Sequence, residues 1–161
     1  MLQNVQIGTF VIFMCAAIFT DLYRMKIPNV LVGMCLGGFF VFAALNGMAW
    51  SDILLHVAAA LVVFLIALVP YNIGAMAAGD VKFIAAIALW FGFGGELIAF
   101  IVLLSFYGGL LAFAILSYRQ LPLPAIVKSW TWAANLYNPA KGVPYGVAIA
   151  AAAISLRTAV L

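Results

Sequence analysis

Gly74-Ala75-Met76-Ala77-Ala78-Gly79-Asp80-Val81-Lys82 sets an acid between two apolar runs, Ile53 to Pro70 before it and Val81 to Phe93 after it. A carboxyl at the lip of a membrane helix is costly to keep there, so an acid in that place is read as functional by default. The small residues ahead of Asp80 let other backbones come close. The chain offers only three further acids. Asp21, which closes the first apolar run in Thr20-Asp21-Leu22-Tyr23-Arg24-Met25-Lys26-Ile27-Pro28-Asn29, is the best placed to partner Asp80.

The frame around these acids is a membrane one. Of 161 residues, 69% are hydrophobic and 7% charged, with a mean hydropathy of +1.28. A soluble domain carries roughly 25% charged residues, which excludes one here. Seven basic residues against four acids give a net charge of +3; so small an excess carries topology information and does not point to a nucleic-acid partner. Cys15 and Cys35 both fall inside apolar runs with no Cys-x-x-Cys pair, so they read as small buried residues and not as a disulfide or a metal site. Met1 to Asn4 carry no Lys or Arg, and no small-residue cleavage site precedes Asp21. The first run therefore reads as a mature helix and not a signal peptide.

A spanning helix needs about 20 mostly apolar residues. Six runs meet or approach that: Val5 to Leu22, Pro28 to Leu45, Ile53 to Pro70, Val81 to Phe93, Leu97 to Tyr118 and Val143 to Leu161. Pro28 suits a first helical turn, where its missing N–H is no loss. Asn46-Gly47 signals a turn, and Asp52 is a candidate cap for the third run. The fourth run is short, so it must be shielded by neighbours or begin inside a water-filled notch; Gly92, Gly94 and Gly95 end it. Gln120 to Gly142 is the one long polar connection. Its Pro122, Pro124, Trp130, Trp132 and Tyr137 read as headgroup-level anchors around a short interfacial helix from about Ala125 to Leu136. The expected fold is an all-α integral membrane bundle of six transmembrane helices, residues 1–161 forming one membrane-embedded domain without internal repeats.

Basic residues set the orientation. Arg24 and Lys26, then Lys82, then Arg119, Lys128 and Lys141 fall in alternate connections, while the intervening loops carry Asp52 and Glu96 and no Lys or Arg. The positive-inside rule puts those three basic connections in the cytoplasm and both termini outside. Only Arg157 disagrees, and near the chain end it can snorkel to the outer interface. Asp21 and Asp80 then share the cytoplasmic face.

Two carboxyls in one place can hydrolyse a peptide without metal or nucleophilic side chain. The ionised one draws a proton from water, the protonated one hydrogen-bonds the scissile carbonyl, and the roles exchange as the tetrahedral species collapses. The bland alternative, a solvated helix end, is where Asp21 alone would be left; Asp80, flanked by small residues and opening a short helix, is read as functional. Other catalysts find little support. The sole histidine, His56, lies in a run near the opposite face and reads as a packing residue, so a Ser–His set has nothing to build on. Zinc has too few ligands, and neither metal nor cofactor is expected. Gly37-Gly38 and Gly108-Gly109 read as helix-packing faces. A small proton- or cation-coupled transporter subunit also uses paired acids, but would place them near mid-bilayer on broken helices.

Asp21 followed by Lys26-Ile27-Pro28-Asn29, then Gly79-Asp80-Val81-Lys82, then Val143-Pro144-Tyr145-Gly146-Val147-Ala148, resembles the type IV prepilin peptidase family, polytopic GxGD-type aspartyl proteases. The likeness covers nearly the whole chain. It implies Asp21 and Asp80 as the catalytic pair, with Gly79, Lys82, Lys26, Asn29 and Tyr145 as substrate or site support. It also implies a substrate: a prepilin with a basic cytoplasmic leader before an apolar helix, cut at the inner-membrane surface, with membrane lipid as the other partner. Lys82, Arg24 and Lys26 either hold the site electrostatically or anchor to anionic lipid. Two departures stand out. Ala77 occupies the first glycine position of the Gly-x-Gly-Asp motif, where a backbone needing positive φ would be strained, which keeps a catalytically impaired pilus-assembly scaffold as a further alternative. Where longer members carry a cytoplasmic segment with paired Cys-x-x-Cys motifs and N-methylate the trimmed pilin, this chain has only Leu22 to Ile27. The expected activity is therefore leader removal without methyl transfer, as in the short forms associated with Flp/Tad-type pili.

Overall fold

The computed structural model describes residues 1–120, 130–138 and 142–159. Among them the chain forms seven α-helices and no strand: α1 Leu2–Arg24, α2 Asn29–Leu45, α3 Trp50–Asn72, α4 Ala78–Phe91, α5 Gly95–Gln120, α6 Thr131–Tyr137 and α7 Tyr145–Ala159. Every apolar run of the sequence becomes a helix. Only α1, α3 and α5, of 23, 23 and 26 residues, are long and apolar enough to cross a membrane; at 1.5 Å per residue they reach about 35–39 Å. The apolar helices α2 and α7 are shorter.

The short fourth helix is the axis of the bundle. α2, α3, α5 and α7 all pack against α4, and ten of its 14 residues are buried, so it is apolar on every side and shielded, as its length required. The outer helices turn residues such as Leu54, Leu65, Phe106 and Phe113 outward. Trp90 fixes α4 to its neighbours: its Nε1–H donates to the Cys35 carbonyl on α2 at 2.9 Å, and its ring lies 5.1 Å from Phe10 on α1. A Cβ at Gly38 would stand 3.0 Å from Phe13 and 3.3 Å from Trp90, which is why α1, α2 and α4 can converge there; Gly37 faces open space.

His56 plays the packing part expected of it, at the end of α4 away from Asp80. Its Nδ1 meets the Leu89 carbonyl at 2.7 Å, satisfying an otherwise unpaired group of the last turn, and its ring stacks on Phe39. Gly92 follows at φ 64 with the imidazole against its Cα, a place no side chain can share.

Several local expectations shift. Pro28 is the N-cap of α2, not its first helical residue (φ −69, ψ 140), and its carbonyl accepts from the Leu31 and Val32 amides. Asp52 does not cap α3: extended Ala49 does so through its backbone, three residues earlier, and Asp52 lies in the first turn, where the helix dipole still favours an acid. Pro70 lies within the last turn of α3, which runs on to Asn72. The Asn46-Gly47 turn forms, with Gly47 at φ 62. The short helix expected between the last two runs is seen as α6, Thr131–Tyr137, packed on α5 and α1; residues 125–129, and with them Lys128, as well as Pro122, Pro124 and Lys141, lie outside the described residues.

Candidate active site

Three segments build the site. α1 carries Asp21 one turn before its end, where Met25 leaves in the left-handed conformation (φ 54, ψ 36) and its N–H returns to the Asp21 carbonyl at 2.8 Å. That bend throws Lys26, Ile27 and Pro28 across the bundle end, with Ile27 buried.

α3 leaves through Gly74 at φ 74, a turn that only glycine enters freely, and the chain reaches Ala77, the N-cap of α4 (φ −80, ψ 151). The strain anticipated at Ala77 does not arise, because its φ is negative and any L-residue adopts it. Asp80 then falls at the third helical position, its carboxyl turned back to the Ala77 N–H, the acidic half of a capping box. Gly79 earns its place by closeness: a Cβ there would lie 3.3 Å from the Ile27 carbonyl oxygen.

The third segment is the start of α7. The backbone N–H groups of Gly146 and Val147 point at the Asp21 carboxyl; the first is a donor that a first helical turn leaves unpaired, and the second is shared with the Pro144 carbonyl at 3.2 Å. Gly146 is pressed so tightly that an added Cβ would stand 2.7 Å from Asp21 Oδ2 and 2.7 Å from Ile27 Cδ1. Oδ2 itself is buried without a hydrogen-bond partner, an acceptor left open.

All seven residues singled out in the sequence, Asp21, Lys26, Asn29, Gly79, Asp80, Lys82 and Tyr145, line one cavity of about 530 Å³. The charge of Asp21 is felt at Asp80 across it. The two are the only buried charged side chains among the described residues, 3% and 4% exposed. Lys82 Nζ donates to Asn29 Oδ1 at 3.2 Å, joining α4 to α2 along the rim. Arg24 is exposed and is not part of the wall. No group of three or more His, Cys, Asp or Glu side chains able to hold a metal ion occurs among the described residues.

The sequence reading passed over Gly146 and Val147. Both stand in the quoted motif, but their part depends on a carboxyl more than a hundred residues away in the chain. Beside the cavity, Arg119 closes α5 by donating to the carbonyls of Leu136, Asn138 and Gly142, the last of which lines the cavity, so one guanidinium ties α6 to the chain that enters α7.

The family model described as "Type IV leader peptidase family" matches residues 8–115. The chain belongs to that family. The match runs from α1 through most of α5 and takes in both buried acids, Lys26, Asn29, Gly79 and Lys82, while Tyr145 and the α7 amides lie beyond it. Comparison with curated proteins and with solved structures gives no match. Membership in the leader peptidase family makes the chain a prepilin-type peptidase, and its long apolar helices make it a membrane one.

Proposed function

We propose that this leader peptidase is an aspartyl endopeptidase that removes the leader from Flp-like type IV prepilins at the cytoplasmic face of the inner membrane. The observation that carries the reading is the meeting of two buried carboxyls, Asp21 and Asp80, on one cavity, with Asp21 Oδ2 unpartnered. Carboxyls so placed share a proton, because both cannot be charged at once. The ionised one takes a proton from a water whose oxygen attacks the scissile carbonyl carbon. The protonated one hydrogen-bonds the carbonyl oxygen, and a proton passes to the leaving amine as the C–N bond breaks. The α7 amides hold Asp21, and Gly79 lets the Asp80 loop close on Ile27; Lys26, Asn29, Lys82 and Tyr145 shape the wall that meets substrate. No cofactor enters, and methyl transfer is absent, since only Leu22 to Ile27, without cysteine, stands in place of the paired-cysteine segment.

The same reading has α1–α5 and α7 as six crossings, with α2, α4 and α7 shielded by longer neighbours, and residues 1–161 working as one domain. Both acids lie at helix ends, Asp21 near the end of an unbroken α1 and Asp80 in the first turn of α4, which suits a bond at the membrane surface better than a transport path through mid-bilayer. The dissenting basic residue, Arg157, lies 3.5 Å from Glu96 at the far end of α7, so its charge does not oppose having the termini outside. Leader removal from a co-expressed prepilin by wild type, Asp21→Ala and Asp80→Ala tests the proposal: processing is expected from the wild type alone, and full processing by either variant refutes the two-acid mechanism.

A further inference from the structure

The bundle is not closed between α3 and α5. α3 packs on α4 and α5 chiefly on α7, which leaves a lipid-facing apolar cleft of about 380 Å³ whose walls include Val63, Ala67, Pro70, Ile84, Ser105 and Gly109. Met76 and Tyr145 line both this cleft and the cavity of the two acids. The cleft and the acid cavity are therefore neighbours, with the Met76 and Tyr145 side chains between them.

We propose that this cleft seats the apolar helix that follows the scissile bond of the substrate, entering sideways from the membrane. The proposal rests on the peptidase reading above and names where the membrane part of that substrate docks. Helices associate in lipid through close backbone approach rather than hydrophobic exclusion, so small residues mark the contact. Here they face one another from two helices, Ala67 on α3 and Ser105, Gly108 and Gly109 on α5. Gly109 looks onto open space, and only the Tyr145 ring borders Gly108, at 3.5 Å.

The dimensions fit a seat and not a full-length interface. From Val63 to Pro70, or Ile101 to Gly109, the walls rise about 10–12 Å, roughly two turns of a bound helix. Where the cleft ends, at Pro70, Met76 and Tyr145, the polar cavity begins. A bond must leave the helix to be cut, and non-helical backbone at membrane depth is tolerated only where it lines a water-filled space; a helix seated in the cleft would meet that change of solvent beside the acids. A second apolar groove, between α2, α3 and α4, has about 420 Å³ but meets the acid cavity only at Lys82, whose ammonium is held by Asn29. A charged gate of that kind does not pass an apolar segment.

The test compares two substrates in the reconstituted full chain: an intact prepilin, and a short peptide that carries the leader and scissile bond but stops before the apolar helix. Gly109→Leu fills the cleft; Gly37→Leu adds the same side chain to open space on α2. The ratio of intact-prepilin to peptide kcat/KM is expected to fall about tenfold to a hundredfold in Gly109→Leu, what losing the seat of one large apolar side chain amounts to, and to hold in Gly37→Leu. An unchanged ratio in Gly109→Leu overturns the proposal. A photo-crosslinking residue placed at Ile101 in the Asp80→Asn background gives an independent readout. It is expected to capture the prepilin's apolar segment; capture of lipid alone, while the wild type still removes leaders, overturns the docking site and leaves the peptidase standing. Failure of the wild type to cut either substrate overturns the peptidase reading instead.

Discussion

Gly146→Ala adds one methyl group and should cost most of the activity while leaving the fold in place. The new Cβ would stand 2.7 Å from both Asp21 Oδ2 and Ile27 Cδ1, and 3.0 Å from Asp21 Cγ. Carbon contacts settle near ~3.5–4.0 Å, so something must move by close to an ångström. Ile27 Cδ1 is the end of a flexible side chain and can rotate away. The Asp21 carboxyl can move only by giving up the bonds that the Gly146 and Val147 amides make to it. Overpacking of this kind costs about 1–3 kcal/mol, while alanine gains about 1 kcal/mol over glycine inside a helix, so the net loss is at most about 2 kcal/mol, which a fold of ordinary stability, about 5–15 kcal/mol, survives. Activity is another matter, since a displacement of about 1 Å in a reacting group is worth roughly a hundredfold. Gly79→Ala supplies the internal scale: its Cβ would meet the Ile27 carbonyl oxygen at 3.3 Å, a few tenths of an ångström too close, for an expected loss of about threefold to tenfold. Gly37→Ala, facing nothing within 4 Å, should be silent. Prepilin cleavage at subsaturating substrate, with thermal unfolding of each purified variant in the same detergent, checks the series. Gly146→Ala that folds normally and cuts within twofold of wild type would show that the placement of Asp21 against α7 has no catalytic weight.

Three further outcomes are expected. Wild-type cleavage should follow a bell-shaped pH profile, since one carboxyl must be charged and the other protonated, and Asp21→Asn or Asp80→Asn should each lose about a thousandfold in kcat; a single sigmoid with residual activity in one variant would assign the chemistry to the other acid alone. Arg119→Ala removes the donor to three carbonyls ahead of α7 and should lower kcat about tenfold with KM little changed, Arg119→Lys falling between; equal kcat would detach that clamp from the site. Trp90→Phe deletes the 2.9 Å bond to the Cys35 carbonyl and should lower stability by about 1 kcal/mol without touching cleavage.

How much of this could be read from the chain follows from what charges cost in it. With 7% charged residues, almost every acid must be accounted for, so Asp21 and Asp80 at the ends of apolar runs stand out, and alternating loop charges led to the expectation that they share a side. The apolar runs gave the helices for the same reason. Local signals did less well where backbone groups do the work of side chains: Ala49 and Pro28 start helices that Asp52 and a first-turn proline were expected to open. Gly146 was out of reach because its importance lies in what touches it, a carboxyl and an isoleucine from the first helix end, and no spacing along the sequence encodes that. Ala77 shows the converse, a departure from a motif that looks costly until the backbone is seen to be extended there.

The shortness of α4 and the burial of two acids are one structural fact. Fourteen residues rise about 21 Å, well under the ~30 Å of a hydrocarbon core, so a helix of that length cannot carry both its ends to the two surfaces. The far end is tied down by Trp90, by the Gly92 turn and by His56 on the Leu89 carbonyl. At the near end Asp80 stands in the first turn of α4, and Asp21 one turn before the end of α1. What fills the missing depth is loop rather than helix, Gly74 to Ala77 from one side and Gly142 to Pro144 from the other, and loops leave a cavity where helices would have packed. Lengthening α4 by a turn ahead of Ala78 would fill that space with helix and take from Asp80 its place in the first turn. A fourth helix that starts only at Ala78 leaves loop on both sides of its first turn, and in the space between those loops its one acid faces Asp21.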